Sequence, residues 1–312
     1  MVMPQHFFCS ELSREDDEKL YGTAPSADAW LLLEYDKTWG RKALDDSDLN
    51  DAIKSYLSSF LKRTPAIRLL FIKREQAKSA RLSFFIARCR ETRPQLYRFA
   101  LDSYEQLLEI DILALVEGRS VAGAEEINQP LFLICAHGSH DRCCAKYGLP
   151  IYRALKGTSS GEVWQASHVG GDRFAANMIC FPHAIFYGRV SETDAQRIIA
   201  EYHKQQIYLK NYRGRGCFAK PLQAAEFFAR SETGLTGIGD LCLLDSLDLD
   251  DRTWQVSFKA GSNGDTHEVT VVKTESAFRN FTSCRETEEK SVEQYLLERY
   301  RVVPSNGDTQ CR

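Results

Sequence analysis

The sequence predicts an α/β fold in which one β-α-β-β-β-α unit occurs twice in tandem, followed by a small α+β appendage. Three observations lead to it: short apolar runs of strand length, amphipathic stretches of helical period between them, and the return of the same order about a hundred residues later.

In the first unit, Trp30 to Tyr35 is an apolar run after the turn signal Gly22-Thr-Ala-Pro25 and reads as a buried strand. The stretch from Ser47 to Lys62 places Ile53, Leu57 and Phe60 or Leu61 on one helical face, with Asp and Ser at its start. Ile67 to Lys73, Arg81 to Cys89 and Gln95 to Leu101 give three further strands, and Leu107, Leu108, Ile110 and Leu113 mark a helix. The second unit runs through a strand at Pro130 to Cys135, a helix from Cys144 to Leu155 and a strand from Glu162 to Ser167. Strands at Phe174 to Phe181 and Ala184 to Val190, and a helix from Glu192 to Gln206, complete it. This order is that of a thioredoxin-like unit. It divides the chain into a thioredoxin-like domain at 1–125, a second at 126–215, and an α+β region at 216–312. In the last region Pro221 sits in the first turn of a helix, Trp254 to Phe258 pairs with His267 to Val272, and the tail after Pro304 reads as loose. Asn211 to Cys217 reads as an exposed basic turn.

Composition limits the chemistry. The 312 residues are 43% hydrophobic, 27% charged and 11% aromatic with a net charge of −3, which suits a globular protein and gives no broad field for a phosphate backbone. Nucleic acid and membrane are therefore not expected partners. No segment approaches the roughly 18 apolar residues of a span, and the start lacks the pattern of an export signal, so a cytoplasmic location is expected. There the ten cysteines stay reduced unless a metal or redox cycle holds them. Most of Cys9, Cys89, Cys180, Cys217, Cys242, Cys284 and Cys311 read as small apolar residues or surface thiols.

Chemistry concentrates in two loops of the second unit. Cys135 ends a strand and Cys144 begins a helix, so one loop brings two thiols together; His168 and Asp172 follow the next strand across Gly170-Gly171. Thiolate with imidazole is the ligand mixture that zinc and iron–sulfur clusters select. The competing reading is a pair of buried structural cysteines with a hydrogen-bonded histidine. Vicinal Cys143-Cys144 reads more simply as one ligand and its neighbour than as a strained disulfide switch. His183 reads as a core histidine. Lys210, Arg213, Arg215 and Lys220 form a basic group, and Gly234 to Gly239 lacks the preceding strand of a nucleotide fingerprint.

The segments Gly22 to Pro25, Trp30 to Glu34, Trp39-Gly40, Cys135 to Gly138, Asp141 to Cys144, Ser167 to Gly171, Arg173 to Ala175, Pro182-His183, Tyr187 to Arg189 and Tyr212 to Arg215 together resemble the sucrase/ferredoxin-like family of thioredoxin-like proteins. The resemblance covers most of residues 9 to 230. It implies a [2Fe–2S] cluster held by a C-x₈-C pair and an H-x₃-H pair, hence Cys135 and Cys144 on one iron and His168 on the other. Asp172 stands where the pattern has its second histidine and is favoured as the fourth ligand; the competing readings are that Cys143, His137 or His140 takes that place, or that the cluster is labile or absent. The implied protein is a one-electron carrier between protein redox partners rather than a catalyst, with homodimerisation left open. No pair of carboxylates is placed for glycosidic hydrolysis. The alternatives are a structural zinc protein acting as a binding module, and a thiol enzyme, against which the absence of C-x-x-C counts.

Overall fold

The computed structural model describes residues 7–75, 81–157, 163–261 and 264–305. Glu162 of one predicted strand, Cys311 and the polar tail beyond residue 305 lie outside the described residues. Fourteen strands among the described residues make two sheets, of ten and four strands.

The first half of the large sheet comes from β1 (Ala29–Glu34), β2 (Ile67–Lys73), β3 (Leu82–Arg88), β4 (Gln95–Leu101) and a two-residue edge strand β5 (Glu125–Glu126). The second half comes from β6 (Leu131–Cys135), β7 (Val163–Ala166), β8 (Met178–Phe181), β9 (Ile185–Tyr187) and the edge strand β10 (Tyr212–Arg215). The strand order is β10-β9-β8-β6-β7-β2-β1-β3-β4-β5. In each half a parallel pair (β1 with β2, β6 with β7) is followed by two antiparallel neighbours, so both halves share one pattern. The strands of residues 29–101 and 131–215 thus lie in a single continuous sheet.

The halves join through β2 and β7, antiparallel and overlapping only at their C-terminal ends, Ile72 opposite Ala166 and Lys73 opposite Gln165. Both parallel pairs therefore point their C-terminal ends at this seam. Because the sheet curls, Trp30 and Leu32 of β1 share one core with Leu133 of β6 and Trp164 of β7. On the opposite face, helix α2 (Asp51–Arg63) packs Ile53, Leu57 and Phe60 against Leu31 and Leu33. Helices α4 (Arg142–Leu155) and α5 (Glu192–His203) pack Ile151, Leu155 and Ile198 against Phe132 and Ile134. With both faces covered, the central strands read as unbroken apolar runs.

Helix starts follow their caps. Asn50 accepts from the Ile53 N–H, Asp141 from the Cys143 N–H, and Ser191 forms a reciprocal box with Asp194. Outside the large sheet lie α1 (Cys9–Glu15), α3 (Ile112–Val116), α6 (Lys220–Thr233) and the four-stranded sheet of β11 (Leu241–Asp248), β12 (Thr253–Ala260), β13 (Thr266–Glu275) and β14 (Glu293–Val303). Proline sits in the first turn of α6, and β12 pairs with β13 as the sequence predicts.

Several expectations need correction. The helix predicted around Leu107 to Leu113 is two short pieces, a 3-10 turn at Tyr104–Glu109 and α3. The strand expected from Phe174 starts only at Met178, because Asp172–Phe174 turns as a 3-10 segment. The supposed exposed basic turn is the buried strand β10: Arg213 and Arg215 are each 1% exposed. Arg215 pairs with Glu226 at 2.7 Å, and Arg230 pairs with the same carboxylate at 2.9 Å, so α6 supplies the counter-charge that permits burial.

Candidate metal centre

Cys135 is the last residue of β6 and Cys144 lies in the first turn of α4. What allows α4 to sit this close is Gly148: a Cβ there would lie 1.9 Å from the Cys135 carbonyl oxygen. The bond from the His168 N–H to His137 Nδ1, 3.0 Å, fixes the loop after β7, and Gly170 and Gly171 both adopt positive φ, +90° and +83°. The buried Arg213 guanidinium donates to the Gly170 carbonyl at 2.9 Å, to Asn177 Oδ1 at 2.8 Å and to the Thr23 carbonyl at 2.6 Å, bracing this loop from behind.

The ligand atoms of Cys135, Cys144 and His168 lie within 4.8 Å of one another, as do those of His140, His168 and Asp172. Asp172 links the two groups. Its Oδ1 accepts from the Cys144 thiol at 3.2 Å and lies 2.9 Å from His168 Nδ1, a buried nitrogen with no aligned hydrogen-bond partner. His140 stacks on His168 at 3.7 Å between ring centroids, with Nε2 3.8 Å from Asp172 Oδ2.

Charge is distributed accordingly. The hydrogen bond from Cys144, with help from His168, holds Cys135 well below the usual thiol range in spite of burial. The same bond, together with burial, pushes Cys144 well above it. Burial works against a charged His168, but Asp172 and Cys135 outweigh it and raise the imidazole to about 10. Burial likewise opposes ionisation of Asp172, and His168 reverses this to lower its pKa. The shifts favour negative charge on Cys135 and Asp172 and positive charge on His168, and a bound cation would compete with the protons of this group.

The alternates separate clearly. His137 uses both ring nitrogens, accepting at Nδ1 from the His168 N–H and donating from Nε2 to the Gly40 carbonyl at 2.7 Å. Cys143 faces away from Cys144's partners, toward Cys9 and Cys284 at 3.6 and 3.3 Å. Cys9 and Cys284 thus stand apart from the other cysteines read as small apolar residues or surface thiols. No disulfide joins Cys143 to Cys144. His183 lies beyond Phe181, which pairs with Leu131 at the far end of β6 from Cys135, and its Nδ1 meets the Tyr202 hydroxyl at 2.6 Å. Reading residues singly misses the brace Arg213, the spacer Gly148 and the covering Gly40 carbonyl; the sequence around Gly148 gives no sign of its partner.

Two cysteines, an imidazole and a carboxylate gathered at strand and helix ends of an α/β sheet define a candidate metal-binding protein. Residues 20–214 match the family described as Sucrase/ferredoxin-like, and the chain belongs to that family. It is 31% identical over 147 residues to Altered inheritance of mitochondria protein 32 of Meyerozyma guilliermondii, covering 43% of this chain and 50% of the relative. The protein of the same name from Eremothecium gossypii is 26% identical over 105 residues, covering 29% of this chain and 34% of the relative. The chain therefore spans half or less of the curated relatives it matches. No solved structure matches it. Among the described residues, no helix is long and apolar enough to cross a membrane.

Proposed function

We propose that the chain is a ferredoxin-like one-electron carrier whose second thioredoxin-like half, within residues 126–215, holds a [2Fe–2S] cluster through Cys135, Cys144, His168 and Asp172. On this reading residues 1–125 form the half without a cluster and 216–312 a supporting region. The observation that carries it is the convergence of two buried thiols and one imidazole within 4.8 Å, with Asp172 touching both Cys144 and His168. The donor chemistry fits: two thiolates for one iron, and nitrogen with oxygen for the other. When bound, the cluster supplies reversible uptake of a single electron.

The chain's own residues set the conditions for that chemistry. Cys135 and Cys144 are each 1% exposed and keep water from the sulfur side. The His168 side chain is 27% exposed and borders a cleft of about 380 Å³ that Arg41, Arg68, and Lys42 with its ion-pair partner Asp45 at 3.3 Å also line. Electron exchange with a protein partner then runs through the imidazole edge, and the cations favour an acidic partner surface. Asp172 adds a negative charge that opposes reduction, so the potential lies below that of a site with two histidines.

Anaerobically purified protein made with adequate iron should be red-brown with stoichiometric iron and sulfide. Cys144→Ser should abolish the colour and Cys143→Ser should keep it. Colourless protein holding zinc through Cys135 and Cys144 would overturn the proposal. Asp172→His should raise the midpoint by at least one step of about 59 mV, equivalent to about 1.4 kcal/mol for one electron, and steepen its pH dependence. An unchanged midpoint and slope would remove Asp172 from the ligands and leave His140, stacked on His168, as its replacement.

A further inference from the structure

A second sulfur group lies one residue from the first and has separate partners. Cys9 in α1, Cys143 in α4 and Cys284 in the segment between β13 and β14 put their sulfurs 3.3 to 3.6 Å apart in a closed triangle. Four donors around zinc at about 2.3 Å would set neighbouring sulfurs about 3.8 Å apart, so the triangle is close to one face of that tetrahedron. A disulfide needs about 2.05 Å, and three thiols cannot all pair. Asp141, fully buried, has a carboxylate oxygen within 4.8 Å of the three sulfurs. Its orientation is fixed: Oδ1 accepts from the Cys143 N–H at 2.8 Å, and Oδ2 from the Cys284 N–H at 2.7 Å and the Ser283 hydroxyl at 2.9 Å.

The sulfurs are also supplied with donors. The Ser10 hydroxyl donates to Cys143 Sγ at 3.1 Å and the Cys9 N–H to Cys284 Sγ at 3.4 Å, an arrangement that suits thiolates and orients metal ligands. Cys9 and Cys143 are wholly buried, and Phe281 and Ala175 pack around them.

We propose that Cys9, Cys143 and Cys284, with Asp141 as the fourth donor, form a structural zinc site that ties α1 and the β13–β14 segment to the start of α4. Binding displaces the three thiol protons to solvent, leaves the metal's oxidation state unchanged and needs no other reactant. The thiol-rich donor set and lack of an open position favour zinc in a structural role. This site is independent of the cluster assignment, since it shares no ligand with it.

The whole chain, purified under reducing conditions from cells given both metals, should carry one zinc per chain by elemental analysis. The double variant Cys9→Ser/Cys284→Ser should lose it, whereas Cys135→Ser should keep it even when iron and colour are lost. Replacement of zinc by cobalt(II) in the unmutated chain should give thiolate charge-transfer absorption and the intense visible bands of a tetrahedral ion, a readout independent of how the variants fold. Zinc-free protein with all three thiols free, a disulfide between any two of them, iron in place of zinc, zinc retained by the double variant, or absence of the cobalt bands would each overturn the proposal.

Discussion

The two halves of the large sheet share one strand pattern and differ in the loop after their first strand. From the end of β6 to the first turn of α4 the chain carries Cys135, His137, His140 and Cys144; after β1 it carries Tyr35, Trp39 and Gly40, with no thiol or imidazole before α2. The first half is nevertheless part of the site. Its loop covers the second half's loop: the Trp39 carbonyl accepts from the Ser139 hydroxyl at 2.8 Å, the Gly40 carbonyl from His137 Nε2 at 2.7 Å, and the Arg41 carbonyl lies 3.3 Å from His140 Nδ1. The same topology thus provides a reactive loop in one half and its cover in the other. Topology supplies the position, and side chains supply the chemistry.

The helices show the same contrast. Seven residues after the cap, α2 has the fully buried Leu57 and α4 has Gly148. Leucine fills space between α2 and the sheet, while glycine lets the backbone of α4 touch that of β6. Gly148→Ala should therefore have the largest effect, about 3 kcal/mol or more of stability in denaturant titration together with loss of bound metal at Cys135 and Cys144. If metal content persists, the close contact is not what sets the thiol spacing. Leu57→Ala should cost about 2–5 kcal/mol through the cavity it leaves, yet keep metal stoichiometry unchanged. Loss of metal along with stability would show the halves to be more tightly coupled than the contrast implies.

A pH effect belongs to the second half. Burial, followed by the Arg215 charge, lowers His183 to about 4. The unfolded chain then binds a proton between about pH 6.5 and 4 that the folded chain refuses, so the contribution is complete above pH 6.5 and is lost on acidification through that window. Over the window this amounts to about 3 kcal/mol, and His183→Gln should flatten that part of the stability profile. Identical slopes for both proteins would refute the assignment. The smallest effect is expected from Ser139→Ala, which removes one bond to the cover and should cost about 0.5–1.5 kcal/mol. Faster hydrogen exchange around His137 and His140 should accompany it, and unchanged exchange would mean that the cover is held without Ser139.

The central strands and the Cys135 to Asp172 loops are legible in the sequence for physical reasons. Strands buried on both faces must be apolar throughout, and packing alone does not call for a loop crowded with thiols and imidazoles. Arg213 and Arg215 are not legible, because a charged residue reads as exposed until its partner is known: the Glu226 that pairs with Arg215 belongs to a helix further along the chain, and the acceptors of Arg213 at Thr23, Gly170 and Asn177 are distant in sequence. Strand β14 is hidden by its own surface: Glu298, Arg299 and Arg301 face outward, and only Tyr295 is deeply buried. Cys9 and Cys284 carry no local pattern, since their meeting with Cys143 depends on tertiary structure alone.

That meeting joins residues 134, 141 and 275 positions apart in the chain. A protein is made from its N-terminus, so the sulfur of Cys9 emerges first, both thiols at the start of α4 come next, and Cys284 arrives long afterwards. A chain interrupted between residues 172 and 284 would contain every residue of the Cys135 to Asp172 loops and only two of the three converging sulfurs. The start of α4 therefore takes on its full set of neighbours only in a chain that has been translated past Cys284, and this distinguishes such chains from arrested ones in which both loops are already complete.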